Sequence, residues 1–271
     1  YAQHLFENRR IVEGHGFCYQ REPDSIIWAV MDDGALLSCT YLPEQKVVCW
    51  SRHDTAGRFE STNCLADANG EDRVYFVVAR EINGRIVRFL EVMKEPLVPT
   101  DDLAEAFYVD CGLTYRGPET TALLGLEHLE GRDVSVLADG FRRSARVKDG
   151  RIELAHPASV VHVGLGYACE LDTLDMQPNQ QPVKNRSARA IVGAEAHFYK
   201  SIECKAGPTG GKAYEVFRSE RDGTPTLFSG KKRFNPATPS EPDGYRLHFE
   251  MDAPYPLSIL AVSALGDVGA S

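Results

Sequence analysis

The chain has 271 residues, of which 43% are hydrophobic and 25% charged, with a formal net charge of −9. That length predicts two domains or three small ones, with enough apolar residues to bury real cores. The acidic balance argues against a protein whose main task is to grip nucleic acid by its phosphates, which takes a basic face, but not against a surface that nucleic acid slides past.

Seven cysteines stand at 18, 39, 49, 64, 111, 169 and 204. Their number is odd and no C-x-x-C pair occurs, so neither a disulfide framework nor a zinc ribbon is expected. Scattered over strand-like runs, they read as small buried apolar residues of a protein made in a reducing cytoplasm. No run approaches the roughly 18 apolar residues of a membrane span, and no signal peptide or membrane anchor is read. Residue 1 is Tyr1, so the chain reads as a fragment or a trimmed piece.

In chain order, a polar, mixed segment reaches Arg21. Strand-like runs follow at 26–31, 35–41, 46–50 and 58–65, separated by turn residues at Asp32-Asp33-Gly34, Leu42-Pro43-Glu44 and Asp54–Gly57. Next comes VYFVVAREINGRIVRFLEVM at 74–93, in which Asn83-Gly84 between two β-rich runs is a strong hairpin signal. A two-residue turn there places Val74, Phe76, Val78 and Arg80 on one face with Val87, Phe89, Glu91 and Met93. The other face holds Tyr75, Val77 and Ala79 with Arg88, Leu90 and Val92. Both faces are mostly apolar, so the hairpin has to be covered on both sides, as in stacked sheets. Closely spaced short strands with tight turns read as antiparallel meanders, and a group of four has the size of a propeller blade.

Residues 94–102, with two prolines and no period, read as a linker. Strands are expected at 107–111, 134–138, 145–147, 151–154, 160–165 and 167–174, with hairpin turns at Asp139-Gly140 and Asp149-Gly150 and a short turn or strand at 122–131. Six short strands in this space suggest a small β-barrel. A second linker covers 177–184. Period-2 alternation across 188–201 favours a strand, and further runs are read at 214–218, 226–228, 245–251 and 257–265, with loops at 206–212 and 235–244. The fold class read from all this is all-β: a propeller-blade-like meander over 1–95, an inserted small barrel over 103–176, and a β-rich C-terminal segment over 185–271 able to pack with the first.

Chemistry is hard to find. AGPTGGKA at 206–213 approximates a phosphate-binding loop, but Ala213 stands where an Mg²⁺-binding hydroxyl belongs, and strand-like residues follow where a helix is needed; it reads as a surface loop. Gly164-Leu165-Gly166 reads as a strand bend or bulge. The spacing of Cys39, Cys49, His53 and Cys64 matches no compact zinc pattern. Glu127, His128 and Glu130 read as a solvated loop. Asp172 and Asp175 resemble half of a glycosidase pair without its other half. No catalytic, cofactor or metal site and no small-molecule substrate is expected. Arg142, Arg143, Arg146, Lys148 and Arg151 form a basic island, and Lys231, Lys232 and Arg233 another. Both are candidates for subunit or DNA contact, with a solvated face as the plain alternative.

One resemblance does emerge. GALLSCTYLPEQKVVCWSRHDTAG at 34–57 is similar to a stretch in tail proteins of short-tailed bacteriophages and prophages, where a strand ending in Thr-Tyr leads through Glu-Gln to a strand ending in Trp-x-Arg-His. The likeness continues through 73–93, FYVDCGLTY at 107–115, LEHLEGRDVSVLADG at 126–140 and PASVVHVGL at 157–165. The family is that of tail nozzle, tail tubular or packaged-DNA-stabilisation proteins. The resemblance implies a propeller-like body with an inserted barrel and a ring of copies, typically six, below the portal and adaptor and near tail-fibre proteins. Such a ring closes the DNA channel and later conducts the genome without catalysis. It implies assembly in the bacterial cytoplasm and residence in the virion tail, with at most non-specific contact to packaged DNA. Family members are longer than this chain. Two rival expectations are a module that binds a carbohydrate or protein on the host surface, and a glycan hydrolase.

Overall fold

A computed structural model describes residues 3–94, 102–174, 189–236 and 246–268. These residues form antiparallel sheets with one four-residue helix and a few 3-10 turns, so the all-β expectation holds. The chain divides into two compact units: residues 1–95 with 126–130, and residues 96–125 with 131–271.

The first unit begins with α1 (Gln3–Phe6). A four-stranded meander follows, with β1 (Phe17–Gln20), β2 (Ile26–Val30), β3 (Leu36–Leu42) and β4 (Val47–His53) paired in chain order. The hairpin belongs to a separate sheet of β5 (Arg58–Ala66), β6 (Asp72–Ile82) and β7 (Arg85–Val92). In this unit the strand lost to sequence reading is β1. It lies in the polar opening segment, and Cys18 is its one buried residue.

Period-2 alternation gives each sheet an apolar face, and the two faces meet. Cys18, Trp28, Val30 and Leu36 share a core with Phe59, Val74, Phe76 and Val78. The rings of Trp28 and Phe59 both stand edge-on to Phe76, at 5.7 and 5.4 Å. Burying each such side chain contributes about 1.5–3 kcal/mol. On the far face of the meander, Ala29, Met31 and Leu37 are covered by Leu5 and Phe6 of α1 together with Trp50. Phe6 meets Trp50 edge to face at 4.8 Å. The meander is therefore covered on both sides.

In the second unit, β8 (Asp110–Leu124), β9 (Asp133–Ala138), β10 (Phe141–Arg146) and β11 (Arg151–Leu165) form one sheet in the order β10-β9-β11-β8. The small barrel expected here takes the form of an open sheet: among the described residues no strand pairing joins β10 to β8. The physical reason lies in β11. Where two short strands are predicted, a single 15-residue strand runs through Pro157, with register shifts between Glu153 and Ala158 and between Ala158 and Val160. Such irregularities let one strand absorb a proline and keep pairing with both halves of β8.

Further strands complete the unit: β12 (Cys169–Asp172), β13 (Arg189–Ser201), β14 (Glu203–Pro208), β15 (Tyr214–Arg218), β16 (Glu220–Arg221), β17 (Thr224–Pro225), β18 (Phe228–Phe234), β19 (Leu247–Met251) and β20 (Ile259–Val268). Sequence reading lost β14, whose end falls in the expected 206–212 loop, and most of β18 as well. Sheets β12-β19-β14-β15 and β18-β13-β20 face one another across Ala194, Ala196, Phe198, Ala206, Phe217 and Phe249. A smaller cluster joins this sandwich to the β8–β11 sheet through Leu137, Ala106, Ile202, Met251 and Tyr255. Residues of the expected barrel and of the C-terminal segment thus share a core. The two expected linkers lie almost wholly outside the described residues, as does most of the 235–244 loop.

Candidate interaction surfaces

The hairpin forms in the register read from its turn. Phe76 lies opposite Glu91, Val78 opposite Phe89 and Arg80 opposite Val87. Asn83 and Gly84 have φ of 50° and 74°, both in the left-handed region that a two-residue hairpin turn of this hand requires. The inner face contributes Val74, Phe76 and Val78 to the core. It also buries Arg80, which is 4% exposed. Arg80 donates two 2.7 Å hydrogen bonds to the Glu91 carboxylate and one of 2.7 Å to Thr55 Oγ1.

The outer face is different. Leu90 is 74% exposed, Ile86 63% and Leu65 57%, and Val92 is exposed beside them. Half-buried Tyr75 and Val77 lie on β6 between these strands. One ion pair crosses the face: Arg88 donates to Glu60 at 2.6 and 3.0 Å. It holds the Glu60 carboxyl below its usual range and raises Arg88. β7 is an edge strand, paired only with β6 among the described residues. The hairpin, greasy on both sides, is thus covered mainly along the inner face of β6 within this unit. Val87 and Met93 of the inner face are exposed as well, and the outer face presents apolar side chains next to a sheet edge.

Most members of the two basic islands have acidic partners. Arg142 donates to Glu203 at 2.8 Å, and Glu203, itself buried, also accepts from Arg218 at 3.0 Å. The backbone N–H of Arg142 donates to the Tyr255 hydroxyl. Arg146 pairs with Asp133, and Arg151 approaches Glu153 at 4.0 Å. Arg143 lies over the Phe141 ring at 5.6 Å, and Lys148 sits exposed at the Asp149-Gly150 turn. On β18, Lys231 and Arg233 both bind Glu195, at 3.0 and 2.8 Å, and these bonds hold its carboxyl below the usual range. Lys232 instead faces inward, 4.4 Å from the centre of the Phe228 ring. The alternation of β18 therefore splits the Lys231–Arg233 triplet between two faces.

The second unit holds a cleft of about 510 Å³. Its wall includes Asp102, Asp139, Phe141, Lys200, Thr226 and Ser229. Both carboxylates already serve the backbone. Asp102 accepts from the Ala104 N–H at 2.9 Å, and Asp139 from the N–H of Val160 at 2.8 Å and of Ser159. Sequence reasoning missed this cleft because its wall is gathered from four separated stretches of chain.

The remaining candidates fall into structural places. The 206–213 stretch is the end of β14, a turn and the approach to β15, with Lys212 over the Tyr214 ring and a strand where a nucleotide site needs a helix. Gly164 sits at a β11 register shift, where an added Cβ would lie 2.6 Å from Asp110 O. Cys39 is buried on β3, Cys49 exposed on β4, and Cys64 belongs to the other sheet. Among the described residues no group of three or more His, Cys, Asp or Glu side chains is placed to hold a metal ion, and no helix is long and apolar enough to cross a membrane. Asp172 accepts from Thr209 Oγ1 and meets His248 Nδ1, both at 3.0 Å, while Asp175 lies outside the described residues. In the 126–130 stretch the His128 ring lies 6.2 Å from that of Phe89. No protein-family model matches the chain, and no curated protein matches it.

Proposed function

We propose that this chain is a structural subunit of a phage or prophage tail hub, one that assembles with copies of itself below the portal, retains and conducts packaged DNA, and performs no catalysis. The observation that carries this reading is the outer face of the β5-β6-β7 sheet. Ile86, Leu90 and Val92 stand exposed there on the edge strand β7, in a hairpin whose sequence demands cover on both sides, and Leu65 stands exposed on β5 of the same sheet. Protein surface is the natural cover. The sequence likeness over 34–57 and 73–93 supports the same reading and names the kind of assembly. The acidic balance and the paired basic residues suit a wall that DNA passes without sticking.

Electron microscopy of the purified protein tests it. Closed rings are the expected result. Particles of single-chain size at every concentration would count against it, as would turnover of peptidoglycan or polysaccharide.

A second reading, a module that recognises a carbohydrate or protein on the host surface, is favoured by the cleft that brings Phe141, Lys200 and several hydroxyl side chains together. Binding on a glycan array that is lost in a Phe141→Ala variant would support it over assembly.

A further inference from the structure

Cys18 and Cys64 are 46 residues apart in sequence, yet their sulfurs lie 2.8 Å apart. Carbon atoms in van der Waals contact settle at about 3.5–4.0 Å, sulfur is larger than carbon, and a disulfide bond is about 2.05 Å long. The two sulfurs are thus well inside contact distance without being bonded. The surroundings hold them there. Cys18 points from β1 into the core between the two sheets of the first unit, Cys64 packs against that core from β5, and Thr62 Oγ1 lies 3.2 Å from Cys18 Sγ. β1 and β5 are each an edge strand, one in each of the two facing sheets. A bond between these sulfurs would therefore tie one sheet to the other.

We propose that Cys18 and Cys64 are a redox-responsive pair that closes into a reversible inter-sheet disulfide when the protein meets a small peroxide oxidant. The Cys64 S–H donates to Cys18 Sγ, which lowers the Cys18 thiol below its ordinary value and raises that of Cys64. Cys18 is the thiolate-forming partner, and only a small oxidant reaches it, since it is buried. Its sulfur attacks one oxygen of hydrogen peroxide. The O–O bond breaks, a sulfenic acid forms, and the hydroxide that leaves takes up the proton Cys18 gave up, as water. The Cys64 sulfur then attacks the Cys18 sulfur. The S–O bond breaks, and the departing hydroxide takes the Cys64 proton as water. In sum, two thiols and one hydrogen peroxide give one disulfide and two waters, the sulfurs losing two electrons to the peroxide. Taken one by one along the sequence, the cysteines read as inert buried residues, because no local pattern pairs strands from different sheets.

The test is a non-reducing peptide map of the native protein after brief treatment with hydrogen peroxide, quenching and alkylation. The expected result is a Cys18–Cys64 linked peptide pair that dithiothreitol separates, that persists in Cys49→Ser and that is missing in Cys64→Ser. The melting temperature of the oxidised wild type should rise by roughly 10 °C, because the bond closes a long loop in the unfolded chain. Recovery of Cys18 and Cys64 from folded, peroxide-treated protein as separate peptides, alkylated or over-oxidised, would overturn the proposal. Because the map is made on the wild-type chain, it decides between these outcomes even if a serine variant fails to fold.

Discussion

Arg80 shows how one residue can constrain a whole face. A guanidinium at 4% exposure must find its partners inside the fold, and Glu91 and Thr55 supply them. Arg80→Ala leaves Glu91 without its cation, and we expect urea denaturation to show a loss of about 3–5 kcal/mol. Arg80→Met with Glu91→Leu should recover most of that loss, since a buried pair replaced by apolar residues of similar volume is often neutral. The sequence placed Arg80 and Glu91 on one face, because side chains alternate with period 2, but Thr55 arrives from another turn and carried no signal.

His53 makes a second prediction at this scale. Its ring is hydrogen-bonded to Ser38 Oγ at 2.7 Å and lies 5.4 Å from Trp28. Burial pushes its pKa below the ordinary 6.5, against a weaker upward pull from Asp54. The folded state thus favours the neutral ring. That contribution to stability is full above about pH 6.5 and is lost as the pH falls from there through the folded-state value. The melting temperature of wild type should drop on acidification through this window, and a His53→Gln variant should drop less. Equal slopes would refute the assignment.

Among the elements, the β6–β7 hairpin was the most legible, since Asn83-Gly84 fixes the turn and the turn fixes the register. An added Cβ at Gly84 meets nothing within 4 Å, so Gly84→Ala should cost only the backbone strain of positive φ, about 1 kcal/mol by urea denaturation, with the outer face unchanged. The strand at 188–201 was legible from alternation alone and appears as β13. Long strands were read poorly. β8 passes through Gly117 and Pro118, and β11 through Pro157, residues that end strands in a local reading and here are absorbed by register shifts and an edge position. The first-unit strands from β2 onward were found, but not their division into two facing sheets, because which strand follows which in space depends on Trp28, Phe59 and Phe76 meeting far from one another in sequence.

For the whole molecule, charge and exposed apolar surface point to different partners. Of the basic residues singled out in the sequence, Arg142, Arg146, Lys231 and Arg233 are engaged by Glu203, Asp133 and Glu195, and Lys232 turns toward Phe228. With the net charge of −9, this predicts weak, strongly salt-dependent contact with duplex DNA, no tighter than about 10⁻⁴ M at physiological salt by fluorescence anisotropy. Binding in the nanomolar range would count against it. Apolar exposure, by contrast, includes a group on one sheet face, Leu65, Ile86, Leu90 and Val92, which a protein partner would gain by covering.

Sedimentation velocity of the wild-type chain beside a Leu90→Asp variant puts assembly through that face to trial. Leu90 is 74% exposed, so the variant should keep the wild-type far-ultraviolet circular dichroism spectrum and melting temperature. The expected outcome is a wild-type assembly of several chains that the variant loses. A wild type that sediments as a single chain at all concentrations, or a Leu90→Asp variant that assembles as wild type does, would mean that this face does not join copies of the chain.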